Sequence, residues 1–363
     1  MSGAEPAGVG ADALESFVAA LLGRHGTPET IAAEVARHLV GANLAGHDSH
    51  GVLRLAAYVA EIASGSLHPA ATPELLRESP ATALFDARRG FGHFSSMVAT
   101  EWAMGRAATT GLAAAAVRHS GHVGRLGEYT ERIAEASLIG VATVGQAGLG
   151  GGSVAPFGGA STFLGTNPWS VCVPAAGHEA MLFDAATSTM AEGKVRLARA
   201  KGELLPYGVI RDREGRPTRD PVQLYEGGTQ TGLGAEIAGH KGFGLALAAA
   251  LVGGLAMIGD AEPTTAGTGT RVAEGEPFLA GFFVLAIAPA VFGEPAEYLQ
   301  VVGAVLNAVG RVRPVPGVER VLVPGEPEAQ SRRRRGEAGI PLDPATREAL
   351  AGLAADCGLD PPF

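Results

Sequence analysis

Cysteine is nearly missing from this chain: Cys172 and Cys357 are the only two in 363 residues, and they lie far apart. That excludes a disulfide framework and suits a reducing compartment, with each thiol serving as a small core hydrophobe. Charge is scarce as well, at 18% of residues, and the net balance of −9 excludes a general nucleic-acid binder. The single basic run, residues 332–335, is flanked by Glu326, Glu328 and Glu337 and is expected to be a solvated loop. No apolar stretch approaches the roughly 20 residues that span a bilayer, and no basic segment precedes an apolar one near the N-terminus as in a secretory signal. A cytoplasmic protein with no membrane or nucleic-acid partner is therefore expected. Ser-rich linkers and internal repeats are also lacking, so any second lobe would be an insertion into the first.

What is present is an apolar content of 46%, enough for a large core in one domain or two lobes. Helical spacing over residues 11–45, interrupted by the cap Thr27-Pro28-Glu29, predicts an N-terminal helical hairpin. Helices are also expected at 52–63 and at 94–110, the latter ending at Gly111. Runs rich in small and β-branched residues at 112–117 and 138–144 predict strands, with a helix at 129–136 between them. That β-α-β rhythm places the chain in the α/β class with a partly parallel sheet. The chain is Gly-rich over 145–165. Paired strands follow at 169–173 and 180–183, then a helix at 192–201, a turn at 212–217, a long buried helix at 241–258, a strand at 282–287, and helices at 295–309 and 344–356.

The densest polar cluster is His47-Asp48-Ser49-His50-Gly51, followed by Arg54. In a helix starting near Ser49, His50 and Arg54 share a face, so the guanidinium could grip a carboxylate while the imidazole addresses the adjacent carbon's oxygen. The alternative is a helix cap formed by Asp48 or Ser49, with His50 in solvent. A second cluster, Arg118-His119-Ser120-Gly121-His122-Val123-Gly124, follows a strand, where ligands of α/β sheets collect. Its alternative is a pair of loop histidines satisfied by backbone. The pairs His47/His50 and His119/His122 also raise a metal site, with Asp48 or Asp184 completing the ligands of a metal-dependent hydrolase. Gly150-x-Gly152-x-x-Ala155 matches the dinucleotide fingerprint in letters, but Pro156-Phe157-Gly158-Gly159 follows where a helix should begin. Gly239-His240-Lys241-Gly242-Phe243-Gly244 offers a cation and free amides to a phosphate at a helix mouth, without being a P-loop. Its alternative is a helix start smoothed by glycine.

In register along the chain, these segments resemble a family. They are Gly46-His47-Asp48-Ser49-His50-Gly51 with Arg54, Val117-Arg118-His119-Ser120-Gly121-His122-Val123-Gly124, Ala155-Pro156-Phe157-Gly158-Gly159 and Gly165-Thr166-Asn167-Pro168. Asp184-Ala185-Ala186-Thr187-Ser188 with Gly193-Lys194, Lys241-Gly242-Phe243-Gly244-Leu245 and Pro324-Gly325-Glu326 continue them. Together they resemble the malate/L-lactate dehydrogenase family, which also holds ureidoglycolate dehydrogenase, L-sulfolactate dehydrogenase, 2,3-diketogulonate reductase and Δ1-piperideine-2-carboxylate reductase. The resemblance implies an L-sulfolactate dehydrogenase-like, non-Rossmann NAD(P)-binding α/β fold with a mixed sheet, in a homodimer. It also implies hydride transfer between nicotinamide, as NAD or NADP, and C2 of a small 2-oxo or 2-hydroxy acid, or the reduction of a cyclic imine beside a carboxylate.

Similar proteins assign the proton donor to the histidine matching His50 or to that matching His119. The resemblance thus implies His119 as principal acid/base, His50 and Ser49 beside the substrate, and Arg54 on its carboxylate. Asp184 would hold a histidine's tautomer. On the cofactor side the same resemblance places His122, Phe157, Gly158, Thr166, Asp184, Thr187 and Ser188. His240, Lys241, Pro324, Gly325 and Glu326 would touch the cofactor too. The chain departs from its relatives at Gln146-Ala147, where similar proteins carry Asn, Ser or Thr, and at Tyr207-Gly208. Three segments are expected: a helical region at 1–115 carrying His50 and Arg54, a cofactor-binding α/β region at 116–290, and helices at 291–363 returning to the first lobe.

Overall fold

The computed structural model describes residues 8–260 and 278–363. Helices α1 (Ala11–Arg24) and α2 (Glu29–Leu44) form the expected hairpin. Leu14, Phe17, Val18, Leu21 and Leu22 recur at helical spacing and meet Ile31, Val35 and Leu39. Each such side chain contributes about 1.5–3 kcal/mol on burial. Two 3-10 turns follow, Asp48–His50 and Val52–Arg54, before α3 (Leu55–Ala63). Gly51 is extended between them (φ −90°, ψ −156°), so His50 and Arg54 do not share one helix as the spacing suggested.

Strands β1 (Glu74–Glu78) and β2 (Thr82–Asp86) form an antiparallel edge hairpin. Then come α4 (Gly92–Thr110), β3 (Leu112–Arg118), α5 (Gly127–Glu135), β4 (Ile139–Gly148), β5 (Trp169–Val173) and β6 (Met181–Ala185). A small unit follows, made of α6 (Glu192–Lys201), β7 (Ile210–Arg211), β8 (Pro217–Thr218), α7 (Val222–Tyr225) and β9 (Thr229–Gln230). Helix α8 (Ala235–Gly253) and strand β10 (Phe278–Ile287) return to the main sheet, and α9 (Pro295–Gly310), α10 (Glu326–Ala338) and α11 (Pro344–Cys357) complete the described chain. Asp343 caps α11, its carboxylate accepting from the amides of Ala345 and Thr346 at 3.0 Å ahead of Pro344 in the first turn. Ile340, Leu342, Leu350 and Ala354 from this end join the core of α1 and α2, and Val9 pairs with Ile340.

The main sheet runs β1-β2-β3-β10-β4-β5-β6. It is mixed, as expected, but β3 and β4 are not neighbours. Strand β10 lies between them, antiparallel to both, with Phe282 opposite Val117 and Val144. Among the described strands only β2 and β3 pair in parallel. Glycines let α8 approach this sheet closely: a Cβ on Gly145 would meet Ala249 O at 2.3 Å, and one on Gly281 would meet Gly253 O at 2.4 Å.

Helix α8 begins before the expected residue 241 and kinks at Ala238 (φ −139°). It buries only one face. Ala246, Ala249 and Ala250 are buried while Leu245 and Leu251 are exposed. With its 3-10 extension, the segment Ala235–Met257 is long and apolar enough to cross a membrane by length and composition, where the sequence suggested no such run. Here it lies against β4 and β10. Residues 332–335 are a turn of α10 rather than a solvated loop. Arg332 donates to Glu131 at 2.7 and 2.6 Å, and Arg335 donates to Asp48 at 2.6 and 3.0 Å.

Candidate active site

The loop after α2 is held from three directions. Asn43 Oδ1 accepts from the Val52 amide at 2.9 Å, and its Nδ2 donates to Asp48 Oδ1 at 2.7 Å. Arg335 fixes the Asp48 carboxylate with both terminal nitrogens and donates to the Asn43 carbonyl. Gly51 is required here, since a Cβ would lie 2.2 Å from Asn43 Oδ1. Ser49 and His50 ride on this clamped loop, with Ser49 Oγ 3.0 Å from His50 Nδ1. The small unit approaches this loop at the start of α6, where a Cβ on Gly193 would lie 3.6 Å from Ser49 Cβ.

The ring of His122 stacks on that of His50, with centroids 5.7 Å apart and planes 20° from parallel. Tyr58, one turn after Arg54 on α3, places its hydroxyl 2.8 Å from His122 Nδ1, and the Gly124 amide donates to the same atom at 3.3 Å. A backbone N–H can only donate, so Nδ1 carries the lone pair and Nε2 the ring proton. Arg54 lies against Tyr58. Among the described residues no carboxylate forms an ion pair with Arg54, and its buried Nε has no acceptor. Burial, then the charges of His47, Arg54 and Arg125, push His50 down to about 4. Burial, then Arg54, pushes His122 well below its ordinary value. The arrangement is a guanidinium without a carboxylate partner, in contact with the Tyr58 hydroxyl, beside two stacked, neutral imidazoles.

His119, expected as principal acid/base, is employed elsewhere. It sits in the left-handed region (φ 49°), with Nδ1 2.9 Å from Asp86 Oδ2 and Nε2 2.7 Å from Asp260 Oδ2. Both nitrogens are taken, and the preceding residue, Arg118, binds the same Asp86 at 3.0 Å. Asp184 does not hydrogen-bond a histidine either. It accepts from the Gly127 amide at 2.7 Å, at the start of α5, and stands 3.8 Å from the buried Arg125. Burial pushes its carboxyl up.

Of the residues expected on the cofactor side, Phe157 is exposed and meets His240 edge-on at 5.8 Å, with Gly158 and Lys241 beside them in the chain. His240 and Lys241 lie just past the α8 kink, inside the helix rather than at its mouth. Thr187 Oγ1 donates to the carbonyls of Thr166 and Asn167, and Ser188 Oγ donates to Met190 O. Pro324 O accepts from Leu182 N, Gly325 (φ 98°) opens α10, and Glu326 is held by Arg320 at 2.8 Å. A shallow depression of about 270 Å³ lined by Ala155, Phe157, Arg211 and Gly239 adjoins this face. A larger cavity of about 880 Å³ lies by Arg77, Ala115 and Phe283 and holds none of the expected site residues. The two His-x-x-His pairs do not converge as metal ligands would. His47 goes to Glu328 at 3.2 Å and His119 to its two aspartates, away from His50 and His122.

Sequence reasoning missed Tyr58, Asn43, His38 and His93. His38 and His93 are fully buried, and burial drives both well below the ordinary histidine value of 6.5. The unfolded chain then binds more protons than the folded one below that value. The stability these two groups contribute above about pH 6.5 is lost as pH falls toward their folded values. Between about pH 6.5 and 4.5 the pair is therefore expected to lower stability, a loss set against the usual 5–15 kcal/mol or so. Urea unfolding at the two pH values checks this. His93→Phe should lose less stability than wild type over the same interval, and an equal loss would refute the assignment.

A family model of the malate/L-lactate dehydrogenases matches residues 9–351. The chain is 34% identical to hydroxycarboxylate dehydrogenase B of Escherichia coli over 349 residues, covering 96% of this chain and 94% of that protein. It is 36% identical over 246 residues to a Δ1-pyrroline-2-carboxylate/Δ1-piperideine-2-carboxylate reductase of Pseudomonas putida, covering 66% of this chain and 70% of that one. The solved sulfolactate dehydrogenase of Methanocaldococcus jannaschii superposes with a TM-score of 0.84 at 30% identity, over 97% of this chain and 98% of the other. With the family model spanning residues 9–351 and these likenesses in sequence and structure in agreement, the chain belongs to the malate/L-lactate dehydrogenase family of oxidoreductases.

Proposed function

We propose that the protein interconverts a small 2-oxo acid and its 2-hydroxy acid with NAD or NADP, using Arg54 for the carboxylate and His50 and His122 for the C2 oxygen. The observation that carries this is the unpaired Arg54 set against two neutral, stacked imidazoles. A guanidinium left without a carboxylate in a half-buried site favours an anionic ligand, and bidentate contact fixes the ligand's plane. That orientation brings the adjacent carbon's oxygen to the imidazoles. His122, with its proton on Nε2, donates a hydrogen bond to that oxygen as a neutral electrophile. His50, protonated in the substrate complex, supplies the proton in reduction, and as the neutral imidazole it takes the proton back in oxidation. Substrate binding helps, because a carboxylate on Arg54 offsets one of the charges that depress His50.

The residues present fit a nicotinamide dinucleotide. Phe157 offers an aromatic face, a Cβ on Gly158 would meet nothing within 4 Å, and Lys241 and His240 stand exposed for a phosphate. Thr187, Ser188, Thr166 and the 324–326 turn would line the same face. When bound, the cofactor supplies the two-electron reduction of C2 or accepts its reverse. The likeness to the Pseudomonas putida reductase favours a second reading, reduction of a cyclic imine carbon beside a carboxylate by the same Arg54 and proton donor. Tyr298, Val301 and Val305 form an exposed apolar row at helical spacing on α9, which supports a homodimer. We place the protein in the cytoplasm, consistent with its two free cysteines.

The test is absorbance of NADH and NADPH with pyruvate, oxaloacetate, 2,3-diketogulonate and Δ1-piperideine-2-carboxylate. Oxidation of either cofactor with a 2-oxo acid supports the reading, and oxidation with the imine alone selects the second one. No change with any pair would overturn both.

A further inference from the structure

We propose that His93, buried behind the reacting pair, is a positioning residue that sets the hydrogen-bond direction of the site. Its Nε2–H donates to Tyr58 Oη, whose hydroxyl donates to His122 Nδ1. The inference rests on the reading of His122 as the group facing the substrate oxygen.

The direction follows from counting protons. His122 Nδ1 receives the Gly124 amide at 3.3 Å, so it holds no proton of its own. Tyr58 Oη, 2.8 Å from the same atom, must therefore be the donor there. A hydroxyl has one proton. The other ring nitrogen near Tyr58 Oη is His93 Nε2, at 3.4 Å, and it has to supply its own proton to the hydroxyl's lone pair. His93 is thus held with Nε2 protonated and Nδ1 bare, and Nδ1 has no partner among the described residues.

The groups packed against His93 leave this order unopposed. From α2 comes the His38 ring, edge-on at 4.8 Å, and from α3 the Tyr58 ring at 5.5 Å. His122 lies at 5.9 Å, and the backbone of Gly124 wedges between His38 and His93, where a Cβ would lie 2.4 Å from His38 Nε2. Burial, then His38 and the Arg54 cation, keep His93 neutral.

The opposite tautomer of His122 would present a lone pair to the substrate and, with His93 protonated on Nε2, leave the Tyr58 hydroxyl proton without a ring nitrogen to accept it. It would also leave the Gly124 amide facing an N–H. The Gly124 amide excludes that state, and His93 with Nε2 protonated leaves the Tyr58 hydroxyl proton no acceptor but His122 Nδ1, which keeps Nε2–H of His122 directed at the C2 oxygen.

The experiment pairs ¹⁵N-histidine NMR of the substrate-free protein with kinetics of three variants. The wild-type spectrum should assign His122 to the Nε2–H tautomer. Glutamine places its amide nitrogen where Nε2 of histidine lies, and asparagine where Nδ1 lies. His93→Phe is expected to lower kcat about tenfold with KM within about twofold, the worth of one hydrogen bond, and to shift the His122 signals. His93→Gln should restore most of kcat and the wild-type tautomer, whereas His93→Asn should not. A wild-type His122 protonated on Nδ1 overturns the proposal, and so does a folded His93→Phe with wild-type kcat. If the tautomer follows His93 while no 2-oxo acid is reduced, the proposed function fails and this inference stands.

Discussion

Replacing Arg54 with alanine is expected to lower kcat/KM for a 2-oxo acid by about 10²–10⁴-fold. The loss is split between a higher KM and a lower kcat. A desolvated, charge-assisted pair costs about 3–5 kcal/mol when one partner is removed, and 1.36 kcal/mol is tenfold in rate. Both parameters move because the guanidinium binds the ground state and also fixes the plane in which C2 meets the imidazoles. Arg54→Lys should recover part of KM but little of kcat, since an ammonium is a point charge without the planar fork. The uncharged amide of the same substrate should barely distinguish Arg54→Ala from wild type. Equal losses on acid and amide would mean that Arg54 acts on the fold, through Tyr58, rather than on the ligand. Steady-state kinetics on the two substrates decide the matter.

The local physics of the elements was readable, and their partners often were not. Residues 192–201 carry a helical pattern ended by Gly202 in the left-handed region, and α6 has those bounds. Strand β1 escaped notice because Glu74-Leu75-Leu76-Arg77-Glu78 does not alternate. It is an edge strand, mostly exposed, held by pairing with β2. The position of β10 between β3 and β4 is a long-range fact that no local period encodes. The basic run at 332–335 reads as solvated only because its partners, Glu131 and Asp48, lie about two and three hundred residues away.

At the site, the loop of Ser49, His50 and Arg54 was legible from its polar density in an apolar chain. The choice between His50 and His119 was not, because only the fold shows that a left-handed backbone at His119 turns its ring to two aspartates while His122, expected on the cofactor side, faces His50. A signal for Tyr58 did exist: it sits four residues after Arg54 on a helix, and a buried Tyr hydroxyl needs a partner.

His50→Gln is expected to lower kcat by about 10²–10⁴-fold while leaving KM within a few-fold, the usual worth of a positioned acid/base. His119→Asn, tied off between Asp86 and Asp260, should leave kcat near wild type and act on stability instead. Opposite results for the two variants would return the proton to His119 and refute the site drawn around His122. The pH dependence gives a second handle on His50. Oxidation of the hydroxy acid requires the neutral imidazole, so activity rises as pH rises through its pKa. In the free protein that value is held at about 4, in part by Arg54. A bound carboxylate offsets Arg54 and stabilises the protonated ring, which raises the pKa in the complex. The acid limb of kcat, which reports the complex, should therefore lie above that of kcat/KM, which reports the free protein. In Arg54→Ala the free value starts higher and bound substrate no longer offsets a cation, so the two limbs should draw together. Limbs that stay as far apart without Arg54 would show that the carboxylate does not act through this guanidinium.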